Sequence, residues 1–140
     1  MKRKLLLFTV IILFMFTSVG QNVYAYSDMK GTEYQTRFSN ITKYDNVFYI
    51  SKNGEATLTS VILARNVDEI KINLYLQRYS DGAWRTVKSW LQKGSGTSIA
   101  MEEEHYVTSG YAYRMVSYAY VYEGGMLSET TSYTSELEFY

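Results

Sequence analysis

The chain has 140 residues, of which 46% are apolar and 20% are charged, and it contains no cysteine and no proline. This size favours one small globular domain, and the absence of cysteine excludes disulfides, thiolate metal sites and a cysteine nucleophile. The 14 basic residues balance 14 acidic residues, which argues against a general binder of nucleic acid or of anionic membranes.

The first 25 residues have the pattern of a secretory signal peptide. Three basic residues at 2–4 precede an apolar run over 5–16, and Ala25 is a small residue suited to a cleavage site. The run is shorter than the roughly 20 residues that a membrane-spanning helix needs. We therefore expect cleavage after Ala25, with Gly20 as the weaker site, and a secreted protein with no membrane span after cleavage. An exported chain without cysteine also fits a bacterial source.

The mature chain is predicted to begin with a mobile arm. Residues 26–40 mix small, polar and charged side chains without periodicity, and we expect the folded domain to occupy 41–140. From there on, most segments alternate between apolar and polar residues. Strands are predicted over 46–51 and 55–65, joined at the Lys52-Asn53-Gly54 turn.

The clearest alternation lies over 70–79, which predicts a strand with one face on a core and the other in water. The dipeptide Asp81-Gly82 supports a tight hairpin turn, and the partner strand is predicted over 83–92. The apolar residues of this partner strand change parity along its length. A bulge between Arg85 and Val87 would explain that change.

Three more strands are predicted in the last third of the chain. The first covers 97–102 and is followed by a loop over 103–110, and the second covers 111–123. The third is a Ser/Thr-rich strand over 126–139. Its buried side is predicted to consist of Leu127, Tyr133, Leu137 and Phe139.

Seven short alternating strands indicate an all-β fold, and no segment has a sustained 3.6-residue apolar period. The even spacing of turn residues favours a seven-stranded antiparallel β-sandwich of immunoglobulin or fibronectin III-like type. A small closed barrel is the alternative.

Two segments resemble the fibronectin type III and wider immunoglobulin-like sandwich. One is the hairpin over 72–87, with Trp84 just past its turn, and the other is 110–116, where a tyrosine follows a corner. In that family the tyrosine hydroxyl hydrogen-bonds to nearby backbone. The whole chain also resembles small exported proteins of Gram-positive bacteria. These resemblances imply a sandwich architecture and leave the function open.

Residues suited to catalysis or metal binding are scarce. His105 is the single histidine, and it follows Glu102, Glu103 and Glu104. Neighbouring side chains diverge in a strand or loop, and a zinc site needs three or four ligands. Calcium held by Glu102 and Glu104 is the one metal hypothesis, and a solvated loop is the expectation. The three acids also favour a charged imidazolium over the neutral base that a catalytic triad needs. We therefore expect no enzyme activity, metal or cofactor.

Tyrosine is the remaining signal, with fourteen copies after residue 25. Two predicted strands carry tyrosines at alternate positions, which places their rings on one face of the sheet. The candidate binding surface combines these tyrosines with two tryptophans: Tyr75, Tyr79, Tyr118, Tyr120, Tyr122, Trp84 and Trp90. Tyrosine offers a large contact area with a polar tip and loses little entropy on binding. The alternative explanation is cross-strand pairing that only stabilises the sheet.

These observations predict a secreted, non-catalytic module that binds an extracellular glycan, a host surface or a protein partner, with no nucleic-acid partner. A self-assembling extracellular matrix protein is the first alternative, because a chain without proline lacks one common protection of sheet edges. A secreted toxin or antimicrobial protein is the second.

Overall fold

The structure is a computed structural model that describes residues 39–140. The predicted signal peptide lies outside the described residues, as does the predicted arm apart from Ser39 and Asn40. The described part contains eight strands: β1 (Ile41–Ile50), β2 (Glu55–Ala64), β3 (Glu69–Ser80), β4 (Ala83–Ser95), β5 (Ser98–Tyr106), β6 (Ala112–Glu123), β7 (Met126–Thr134) and β8 (Glu138–Phe139).

These strands form two antiparallel sheets that pack face to face over one core. Sheet A has the order β1-β2-β5, and sheet B has the order β4-β3-β6-β7, with the short β8 also pairing with β6. Two separate sheets, rather than one closed sheet, match the all-β antiparallel sandwich predicted from the alternation of the sequence.

The core lies between the inward faces of the two sheets. The predicted apolar face of β3 is fully buried there, and it consists of Ile70, Ile72, Leu74 and Leu76. β2 supplies Leu58 and Ile62 from the opposite sheet, and β5 supplies Ile99 and Met101. Full burial of one such side chain contributes about 1.5–3 kcal/mol, so these alternating positions dominate the stability of the sandwich.

The hairpin between β3 and β4 has the predicted turn and bulge. Asp81 and Gly82 have φ angles of 53° and 74°, as a type I′ turn requires. Val87 is the extra residue of a bulge in β4, because its two neighbours pair with consecutive residues of β3. The bulge turns the two tryptophans of β4 to opposite sides. Trp84 points outward from sheet B, and Trp90 packs against the core.

The first strand begins five residues before the predicted position of 46. Ile41 and Tyr44 both face the core although they are three residues apart, because the pairing with β2 shifts between Ile41 and Lys43. This bulge at Thr42 breaks the period-two pattern. The alternation on which the prediction depends is therefore absent at the start of β1.

The predicted loop over 103–110 is partly wrong, because β5 continues to Tyr106. Glu103 and His105 occupy inward positions of an edge strand, opposite Leu58 and Ala56 of β2. An edge strand meets the margin of the core, where half-exposed polar side chains are tolerated. The run of charged residues therefore resembled a loop in the sequence.

The predicted burial of the last strand is largely wrong. The strand divides into β7 and β8, and of the four residues expected to be buried only Tyr133 packs against the core. Leu127, Leu137 and Phe139 are 54%, 47% and 77% exposed. A register shift in the pairing with β6, next to Val121, turns Leu127 to the outward face.

A buried tyrosine fastens the loop that leads into β6. Tyr113 is 1% exposed, and its hydroxyl donates a hydrogen bond of 2.7 Å to the backbone oxygen of Thr108. This contact is a side chain-to-backbone hydrogen bond at the corner that precedes β6. It ties the backbone at Thr108 to the beginning of β6 in sheet B.

Candidate binding face

The outward side of sheet B carries six of the seven aromatic residues that the sequence singled out. β3 and β6 are neighbours in the sheet, and their outward positions alternate with core positions. We use the name tyrosine face for the outward side formed by Tyr75, Tyr79, Trp84, Tyr118, Tyr120 and Tyr122. The seventh residue, Trp90, is not part of it.

The rings of the tyrosine face contact one another across strands. Tyr75 of β3 and Tyr118 of β6 form an edge-to-face pair, with ring centroids 5.9 Å apart and an interplanar angle of 88°. Tyr79 and Trp84 lie 5.3 Å apart at the end of the β3–β4 hairpin. Such pairs contribute about 0.5–1.5 kcal/mol beyond burial. They also fix the ring orientations and so give the face a defined shape.

Two cations lie over these rings, and sequence analysis missed both. The guanidinium carbon of Arg114 is 4.2 Å from the centroid of the Trp84 ring, and its Nε donates a 2.9 Å hydrogen bond to Oε1 of Gln77. The Nζ atom of Lys71 is 5.0 Å from the centroid of the Tyr120 ring. Both geometries are cation–π contacts. The signal was present in the sequence, because each cation has the same parity as the candidate surface tyrosines of its own strand.

The charge of the tyrosine face is positive. Among the outward strand positions of sheet B, Glu69 supplies the one carboxylate, and it pairs with Nζ of Lys93 at 3.1 Å. Within residues 39–140, neither Lys71 nor Arg114 has a carboxylate oxygen within 4.0 Å. Their positive charges are therefore balanced by aromatic rings and solvent rather than by acids.

Hydroxyl groups extend the face on the side of β7. Thr130, Ser132 and Thr134 pair with Tyr120, Tyr118 and Val116 of β6, and so lie on the same outward side. A shallow depression of about 300 Å³ lies at the far end, lined by Asp68, Glu69, Lys93, Tyr122 and Gly125. The face as a whole combines rings, hydroxyls and cations.

Trp90 and His105 meet between the edges of the two sheets. Their ring centroids are 6.3 Å apart in an edge-to-face arrangement, with Nζ of Lys88 6.0 Å from the tryptophan ring. His105 and Glu103 face inward from β5, whereas Glu102 and Glu104 face outward. The strand therefore separates the four consecutive candidate ligands. In the described part of the chain no three His, Cys, Asp or Glu side chains are placed to hold a metal ion.

The outward side of sheet A has the opposite charge. Asp45, Glu55, Glu102 and Glu104 all point outward from its three strands, with Lys43 paired to Asp45 at 2.5 Å. The negative charge of Glu55 raises the pKa of the exposed Tyr106 hydroxyl above its ordinary value. The two outer faces of the domain therefore differ in sign.

Residues 39–140 include no helix of the length and apolarity needed to cross a bilayer. No protein-family model matches the chain, and a search of curated proteins finds no match.

Proposed function

We propose that this chain is a secreted, non-catalytic binding module and that the tyrosine face contacts its extracellular ligand, a glycan or a protein. The observation that carries the proposal is the continuous aromatic and cationic side of sheet B, which no other element of residues 39–140 covers. Tyr79 and Tyr118 remain 46% and 40% exposed there. Rings that only stabilised the sheet would not need cations without carboxylate partners beside them.

Export is part of this proposal. It is supported by the basic, apolar and small-residue pattern of residues 1–25. A relation to the fibronectin type III sandwich is the finer proposal for the fold. The strand orders of the two sheets support it, and so does the hydrogen bond from the Tyr113 hydroxyl to the loop before β6.

Truncation of two rings tests the ligand-binding role. The double variant Tyr118→Ala and Tyr120→Ala removes the ring that pairs with Tyr75 and the ring beneath Lys71. Because these rings are partly exposed, we expect the fold to persist and retention on an insoluble cell-wall or glycan matrix to fall about tenfold, as loss of two stacking contacts implies. A co-sedimentation assay with each matrix measures the retention.

The matched control is Tyr49→Ala with Tyr106→Ala, since both tyrosines are exposed on the outward side of sheet A. The control should retain full binding. Equal retention of both double variants on every matrix that holds the wild-type chain would refute the tyrosine face as the binding site.

A further inference from the structure

We infer that the ligand of the tyrosine face is a polyanionic glycan, an extended sugar polymer that carries carboxylate or sulfate groups. This inference rests on the proposed function and adds the chemical class of the ligand. It is argued from the position of the cations, the distance between them and the polar groups that lie between and beside them.

The first argument is the unequal distribution of charge over the domain. The strands carry three cations and one carboxylate, Glu69, on the outward side of sheet B, whereas the outward side of sheet A carries Lys43 and four carboxylates. The three outward cations are Lys71, Lys93 and Arg114, and Arg78, Arg85 and Lys88 of the same sheet have the parity of the core positions. The chain after residue 25 carries more acidic than basic residues, so this concentration of positive charge opposes the overall balance. Charge complementarity therefore favours an anionic partner on this side.

The second argument is the geometry of Arg114. Its guanidinium carbon lies 4.2 Å from the centroid of the Trp84 ring while Nε donates a hydrogen bond to Gln77. These two contacts restrict the motion of the group, and the hydrogen bond to Gln77 uses Nε and leaves the two terminal nitrogens as donors. A planar guanidinium held in this way is suited to bind a carboxylate or sulfate with two parallel hydrogen bonds. The side chain therefore needs little ordering when an anion binds.

The third argument is the separation of the two cations. Lys71 and Arg114 lie in rows of the sheet that are six residues apart, because Lys71 pairs with Tyr120 and Arg114 pairs with Gln77. At about 3.3 Å per residue this separation is roughly 20 Å. A small anion cannot reach both positions. A charged polymer can, and it would cross the ring pair of Tyr75 and Tyr118 on the way.

The fourth argument distinguishes a glycan from an acidic protein. The hot spots of protein interfaces, often Trp, Tyr or Arg, lie in well-packed pockets near the centre of the interface. The described part of the tyrosine face has a shallow depression at one end and carries hydroxyl and amide groups along its length, among them Asn73, Ser89, Thr130, Ser132 and Thr134. Apart from the exposed Leu91 and Leu127, this side offers rings and hydrogen-bonding groups, which suit a hydroxyl-rich chain.

Matched pairs of polymers test the inference. Affinity electrophoresis would compare polygalacturonate with its methyl ester, and dextran sulfate with dextran, using the purified full chain. We expect retardation by at least one charged polymer, weakening with added salt, and retardation by its neutral counterpart reduced at least tenfold. The two charged polymers distinguish a carboxylated ligand from a sulfated one.

The double variant Lys71→Gln and Arg114→Gln should weaken binding of the charged polymer about tenfold, since each substitution removes one charge-assisted contact. Lys43→Gln with Lys52→Gln removes the same net charge away from the tyrosine face and should bind as the wild type does. Equal weakening by both double variants would overturn the inference, because net charge alone would then explain it.

The outcomes separate this inference from the proposed function. Equal binding of charged and neutral polymers, lost in Tyr118→Ala with Tyr120→Ala, would overturn the polyanion and keep the binding face. Capture of an acidic protein by the same face, with no polymer bound, would also overturn the glycan. Binding that neither the tyrosine nor the cation variants alter would overturn both.

Discussion

At the scale of single residues, three hydroxyl groups in the core form hydrogen bonds with one another. The hydroxyl of Tyr44 in β1 donates a 2.7 Å hydrogen bond to Oγ of Ser117 in β6, which lies 3.2 Å from Oγ of Ser60 in β2. Both serines are fully buried. The three hydroxyls connect the two sheets across the core. A buried hydroxyl without a partner would cost about 1–3 kcal/mol, so each member depends on the others.

Tyr44 should make the stability of the domain sensitive to alkaline pH. Burial opposes ionisation and raises the pKa of its hydroxyl from 10.0 to about 12. The folded state therefore holds this proton more tightly than the unfolded state. Its contribution to stability is complete below pH 10 and is lost between about pH 10 and pH 12. At pH 11 the loss is about 1.4 kcal/mol.

The variant Tyr44→Phe should lack the loss of stability at alkaline pH that the Tyr44 hydroxyl causes. We expect it to be about 1 kcal/mol less stable than the wild type at pH 8, with the difference shrinking or reversing at pH 11. Urea unfolding at the two pH values measures both quantities. Tyr49→Phe, at an exposed position, is the control, and a parallel pH dependence of wild type and Tyr44→Phe would contradict the prediction.

At the scale of strands, one carboxylate joins the beginning of β1 to β7 in the opposite sheet. The side chain of Glu129 accepts hydrogen bonds from the backbone nitrogens of Ser39, Asn40 and Ile41 at 3.2, 2.9 and 2.9 Å. Backbone donors before the first strand have no ladder partner of their own. The carboxylate satisfies them and fixes the point where β1 starts.

Replacing Glu129 by Gln should loosen the start of β1. An amide offers one acceptor oxygen without charge, so we expect a loss of about 1–3 kcal/mol in unfolding free energy. Hydrogen exchange at the amides of Asn40 and Ile41 should accelerate more than exchange in β3. Glu136→Gln, at an exposed site, should change neither quantity. Unchanged protection of both amides in Glu129→Gln would show that the contact does not hold β1.

The strands that the sequence predicted well are those with unbroken alternation. β3 and its type I′ turn follow from period two and from the Asp-Gly pair, and the common face of Tyr118, Tyr120 and Tyr122 follows from the same periodicity. Where a bulge inserts one residue, parity stops identifying the face. The bulge at Val87, which the parity change in β4 indicated, separates Trp90 from Trp84. Which of the two tryptophans faces outward depends on pairing between strands that a single sequence does not reveal.

The sequence predicts on which side of the sheet the cations of the candidate site lie, but not which rings they contact. The parity of Lys71 and Arg114 places both on the outward side, yet their contacts depend on which strands are neighbours. Arg114 meets Trp84 across the intervening strand β3. The positions of the residues on the tyrosine face could therefore be predicted from each strand by itself, whereas the cation–π contacts depend on the tertiary fold.

The edge strands carry features that oppose pairing with another sheet. β1, β4 and β7 each have a register shift in their pairing, and β5 carries three consecutive glutamates. Bulges twist an edge out of register, and charges penalise a second strand beside it. These features protect the edges although the chain has no proline. They weigh against the self-assembling matrix protein that the composition left open.

For the whole molecule we therefore expect a monomer in solution at physiological ionic strength. The oppositely charged outer faces of sheets A and B could attract a second copy, but exposed charge pairs contribute about 0–1 kcal/mol and are screened by salt. Sedimentation velocity across a wide range of protein concentration measures the oligomeric state. Growth of large species with concentration at that ionic strength would contradict this expectation and favour the matrix protein.

The difference in sign between the two outer sides also has a consequence for orientation. A body that is positive on one broad side and negative on the other behaves as an electric dipole directed through its thickness. On a negatively charged support, the domain would bind with the outward side of β3, β4 and β6 against the support. The acidic strands β1, β2 and β5 would then face the solvent. A molecule that approached the bound domain would first contact Glu55, Glu102 and Glu104.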